Sequence, residues 1–81
     1  MTNHATSPWS DSLRQQTRDA IEEMPITPDG RLHFKHATRG YAFAALEDLF
    51  NSRLLLRSKT GGGDWLFEDV EALLEAGWAV D

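Results

Sequence analysis

Leu54-Leu55-Leu56-Arg57-Ser58-Lys59-Thr60-Gly61-Gly62-Gly63-Asp64-Trp65-Leu66-Phe67 decides the fold class of this chain. Two apolar runs flank three consecutive glycines, and only glycine enters positive φ without steric cost. The stretch therefore predicts a β-hairpin, 54–59 paired with 65–67, with Arg57 and Lys59 beside its loop. Glu68-Asp69-Val70-Glu71-Ala72-Leu73-Leu74-Glu75-Ala76 then reads as a helix, its acidic first turn matched to the positive end of the helix dipole. Gly77 fits the left-handed residue just past that helix, with Trp78 folding back on Leu73.

Toward the N-terminus, Arg31-Leu32-His33-Phe34-Lys35 alternates strictly, apolar on one side and polar or cationic on the other. That is a half-buried strand, 31–35, with one solvated face. Pro28-Asp29-Gly30 before it is turn chemistry. Between strand and hairpin, Ala42, Ala45, Leu46, Leu49 and Phe50 share one face at helical spacing, with Tyr41 and Phe43 widening it. Alanine is a strong helix former, so a central helix is expected over 38–52, opened by Thr38. A first helix opens at Ser7-Pro8 or Ser10, carries Leu13, Thr17, Ala20, Ile21 and Met24 as its stripe, and stops at Pro25.

The expected fold is α+β: three helices and a small antiparallel sheet, in the order helix, strand, helix, hairpin, helix. Residues 1–8 read as a disordered tail and 9–81 as a single compact domain, since 81 residues hold one core.

Composition narrows function by exclusion. Without cysteine there is no disulfide and no thiolate metal site. The first thirty residues lack a basic start followed by an apolar run, and no apolar run approaches the ~18 residues of a membrane span. A cytoplasmic location without membrane contact is expected. His33 and His36 lie on opposite faces of a strand, with no carboxylate set to complete a metal site. Lys59-Thr60-Gly61 is similar to a short motif of penicillin-binding enzymes. The serine three residues before a lysine, which that chemistry needs, is missing. With no catalytic grouping the chain is expected not to be an enzyme, and no cofactor is called for.

The net charge of −5 is unevenly spread. Residues 31–59 hold six of the eight Lys and Arg, against only Glu47 and Asp48, whereas 60–81 hold acidic residues alone. Two binding faces follow. An acidic face of Glu68, Asp69, Glu71 and Glu75, with Trp65 beside it, suits a protein partner and a regulatory or adaptor role. A basic face of Arg31, Lys35, Arg39, Arg53, Arg57 and Lys59 suits nucleic acid. The same division allows self-association, basic middle on acidic end.

The stretch from Leu46 to Leu74 resembles small excisionase-type DNA binders, in which a helix leads to a basic wing and Trp65-x-Phe67 precedes an acidic helix. The resemblance implies a winged-helix reading and covers about a third of the chain. Upstream, Pro25, Pro28 and Gly30 break the expected helix-turn-helix spacing, and Glu47 and Asp48 stand mid-helix, where phosphates would repel them. The protein-binding reading leads, with nucleic acid as the alternative.

Overall fold

Gly40-Tyr41-Ala42-Phe43-Ala44-Ala45 alternates aromatic and small side chains with a period of two, and that alternation governs the middle of the chain. The computed structural model describes residues 9–23 and 27–81. It contains α1 (Asp11–Glu23), β1 (Arg31–His36), β2 (Gly40–Ala45), α2 (Leu46–Phe50), β3 (Leu54–Ser58), β4 (Asp64–Phe67), α3 (Val70–Glu75) and β5 (Trp78–Val80). The α+β class and the hairpin stand as expected.

Two corrections concern the elements. The helix expected over 38–52 is instead strand β2 followed by the short α2. The alanines serve the sheet: Ala42 and Ala44 are fully buried, paired with Phe34 and Leu32, and their small size lets the helical layer approach β2. Trp78 does not end a helix cap but starts a fifth strand, paired with His36. The expected order therefore lacked two strands.

All pairings are antiparallel, in the spatial order β4-β3-β2-β1-β5. β4 and β5 are thus opposite borders, yet Trp65 on β4 and Trp78 on β5 have ring centroids 5.1 Å apart. Only a strongly curled sheet brings them together. Its concave side holds the core: Leu32, Phe34, Ala42, Ala44, Leu56 and Trp78 meet Ile21 of α1, Leu46 and Leu49 of α2, and Leu73 and Leu74 of α3.

The helix ends obey local rules. The Leu13 amide donates to Ser10 Oγ at 3.1 Å, so Ser10 caps α1. Asp69 caps α3, accepting the Ala72 amide at 2.8 Å. α1 also closes the β5 border: the Val80 amide, facing away from β1, donates to the buried Thr17 Oγ1 at 2.9 Å. Thr17 in turn donates to Leu13 O, so both polar groups are satisfied without a neighbouring strand. The expected tail 1–8, and Met24 and Pro25 at the end of the first helix, lie outside the described residues. Among the described residues, no helix is long and apolar enough to cross a membrane.

An ion pair ties α1 to α3. Arg18 Nε donates to Glu71 Oε2 at 2.7 Å and Nη2 to Oε1 at 3.1 Å, a two-pronged contact. The Arg18 hydrogen bond holds the Glu71 carboxyl below its ordinary value, and the same bond raises Arg18. A carboxyl lowered by folding stabilises fully above its unfolded pKa, about 4.5, and that contribution fades as pH falls through the folded value. Urea midpoints taken from pH 6 to pH 3 should fall less steeply for Glu71→Gln than for the parent chain. Parallel curves would contradict this.

Candidate nucleic-acid interface on the open sheet face

Ile21, Leu46, Leu49, Leu73 and Leu74 of the three helices join the concave core. The strand register assigns every other residue to the opposite, convex face, where Ala79 of β5, opposite Lys35, is fully buried. On β1 these are Arg31, His33 and Lys35, and on β2 Tyr41, Phe43 and Ala45. Leu55 and Arg57 follow on β3, and Asp64 and Leu66 on β4. Three rows cross the sheet. The middle row runs Asp64, Arg57, Phe43, His33. One flanking row pairs Tyr41 with Lys35, and Lys59 joins it, its amide donating to Tyr41 O at 3.0 Å. The other holds the apolar pair Leu66 and Leu55, with Ala45 opposite Arg31.

β2 is the central strand, so its two aromatic rings stand in the middle of the face. Tyr41 is 52% exposed. Residues two apart on one strand are about 7 Å apart, so the rings form adjacent platforms. Cations surround them: the Arg31 guanidinium lies 4.3 Å from the Phe43 ring centre. Lys35 Nζ lies 5.2 Å from the ring centre of Trp9, whose indole N–H donates to Gly77 O at 2.8 Å. Trp9 is thereby fixed beside β5 as a third aromatic group next to Lys35. Arg57 faces Asp64 across the hairpin and stands 3.9 Å from Asp48, a loose pairing.

His33 Nε2 donates to Asp29 Oδ2 at 2.8 Å, since a carboxylate only accepts. That bond, helped by the Arg31 amide and Thr27 hydroxyl, lowers the Asp29 carboxyl from its ordinary value. His33 Nδ1 is buried without a partner among the described residues. His36, on the opposite face, is wholly engaged: Nε2 donates to Ala76 O, and Nδ1 accepts the Thr38 and Arg39 amides. Among the described residues, no three His, Asp or Glu side chains are grouped to hold a metal.

Of the basic residues predicted from sequence, the fold gathers Arg31, Lys35, Arg57 and Lys59 about one face. Arg39 lies in the β1–β2 turn, and Arg53 precedes β3. The acidic set lies along α3 and the residues before it. Glu68, Asp69, Glu71 and Glu75 are all exposed, with Glu71 bound to Arg18 and Asp69 capping α3, while Trp65 packs half-buried against Trp78 on the concave side.

Tyr41, exposed, and Phe43, half-buried, were missed as residues of one sheet face because 38–52 read as one helix. The signal was present in the period-two alternation and in Ala37-Thr38-Arg39-Gly40, a short glycine-containing link between two strand patterns. The chain matches no protein-family model, no curated protein and no solved structure.

Proposed function

We propose that this chain acts by binding rather than by catalysis, and that its convex sheet face takes single-stranded nucleic acid. The observation that carries the reading is Tyr41, exposed, and Phe43, half-buried beneath the Arg31 guanidinium, side by side on the central strand and bracketed by Arg31, Lys35, Arg57 and Lys59. Unpaired bases stack on aromatic rings and on guanidinium planes, while flanking cations follow the phosphates. An acidic chain is compatible with this role because much of the acid lies elsewhere, while at the face Asp64 stands opposite Arg57 and Asp29 pairs with His33. Asp11, Asp19, Glu22, Glu23, Glu71 and Glu75 belong to α1 and α3, in the layer behind the sheet. The reading keeps the basic strand and hairpin of the sequence argument but replaces the winged helix with a sheet platform.

The test is fluorescence anisotropy with a short labelled pyrimidine oligonucleotide, repeated across a salt series. Four phosphate contacts predict a log–log slope of about −3, from about −0.7 per contact on single strands. Tyr41→Ala and Phe43→Ala should each weaken binding about 5- to 150-fold, since a stacked base contributes roughly 1–3 kcal/mol. A flat salt response, or unchanged affinity in both variants, contradicts the reading.

A further inference from the structure

One border of the sheet is closed and the other open. β5 is capped by α1 through Thr17. The open border is β4, whose single neighbour is β3. The Ser58 amide donates to Gly63 O at 3.0 Å, which sets the phase of the hairpin. In an antiparallel pair, hydrogen-bonded and non-bonded positions alternate. Trp65 and Phe67 therefore bond to β3, while the N–H and C=O groups of Asp64 and Leu66 point outward. No turn, loop or cap bond reaches the Asp64 or Leu66 amide among the described residues.

The side chains along this border define a pattern. Leu66 is 67% exposed on the convex side, and Trp65 and Phe67 present half-buried edges on the concave side. Asp64 begins the strand, and Glu68 and Asp69 follow it. Three acidic groups argue against a second β4 as occupant, because two such borders would repel.

β3 shows what this strand pairs with. Leu54, Leu55, Leu56 and Arg57 stand opposite Phe67, Leu66, Trp65 and Asp64. A strand on the free side meets the same four side chains. We propose that the β4 border accepts an extended segment of another protein as a sixth, antiparallel strand, of the pattern apolar-apolar-apolar-basic. The backbone bonds to Asp64 and Leu66 supply attachment. The apolar residues cover Phe67, Leu66 and Trp65, and the basic residue meets Asp64. This gives the adaptor role predicted from sequence a partner chemistry, and it stands independently of the nucleic-acid reading.

The probe is a labelled peptide with the sequence of residues 53–59, Arg-Leu-Leu-Leu-Arg-Ser-Lys, titrated into the intact chain without nucleic acid and followed by amide NMR. Saturable binding should move the Asp64 and Leu66 amides. Leu66→Pro removes one outward N–H, at a border position where proline is tolerated, and should weaken binding by about tenfold or more. Leu66→Lys keeps the backbone but replaces the exposed apolar contact with a like charge for the basic peptide, and it should weaken binding in the same direction. Full-strength binding to both variants overturns the proposal. So does equal binding of a scrambled peptide with its charges in the centre, or shifts confined to Tyr41 and Phe43. Absence of peptide binding, with a sedimenting dimer that Leu66→Pro dissolves, overturns it in favour of self-pairing.

Discussion

Trp78→Ala should lower stability by about 3–5 kcal/mol, the range for emptying a buried aromatic site. Trp78 is 1% exposed and fills the closure of the curled sheet. It touches Trp65 from β4 at 5.1 Å and His36 from β1 at 4.9 Å, edge to face. Removing it empties the place where the Trp65 ring from one sheet border reaches the other, and leaves Trp65 and His36 lining the cavity. For 81 residues the total stability is on the order of 4–12 kcal/mol, at about 0.05–0.15 kcal/mol per residue. With a urea dependence near ~1 kcal/mol per molar, the midpoint should fall by about 3 M, or the cooperative transition should vanish. A fall below about 1 M would show that Trp78 does not hold the closure.

The second large effect belongs to Gly77. Its φ of +100° is a conformation that side-chain-bearing residues rarely adopt. A Cβ at this position would also fall 2.6 Å from His36 Nε2. His36 cannot swing aside freely, because Nε2 is bonded to Ala76 O at 2.8 Å and Nδ1 to the Thr38 amide at 3.1 Å. Gly77→Ala therefore combines backbone strain, of order 1–3 kcal/mol, with the breaking of a hydrogen-bonded network. We expect a loss of about 3 kcal/mol in urea unfolding. The control is Gly30→Ala: φ is also positive, but open space surrounds the new methyl group, so the loss should be smaller. Equal losses would place the cost in the backbone alone.

The two variants probe elements that were unequally legible in sequence. Gly77 as a helix terminator followed from its position after an amphipathic helix, because the left-handed cap is a local requirement. The strand at Trp78 did not follow. Three residues carry too little periodicity, and their pairing with β1 joins positions 42 to 46 residues apart in the chain. The hairpin at 54–67 was legible because glycine and alternating apolar runs act locally. At 40–45, alanines at helical spacing and alanines on one strand face fit the same letters. Pairing with Phe34 and Leu32, a tertiary fact, decided between them.

The candidate site shows the same division. Arg31, Lys35, Arg57 and Lys59 were identified by charge alone, and the sheet brought them together. The aromatic centre of the face was hidden by the helix reading, since rings on a helix would have turned toward the core. The acidic set stood out equally in sequence. Two of its members are engaged locally, Asp69 with its own helix and Glu71 with Arg18, while Glu68 and Glu75 stand exposed.

The most direct measurement is amide NMR of the intact chain titrated with a short single-stranded oligonucleotide at low salt. The account predicts saturable shifts concentrated at Arg31, Lys35, Tyr41, Phe43 and Arg57, with α3 unmoved. Shifts centred on the helical layer, or none at all, would contradict the assignment of the convex sheet face as the binding surface.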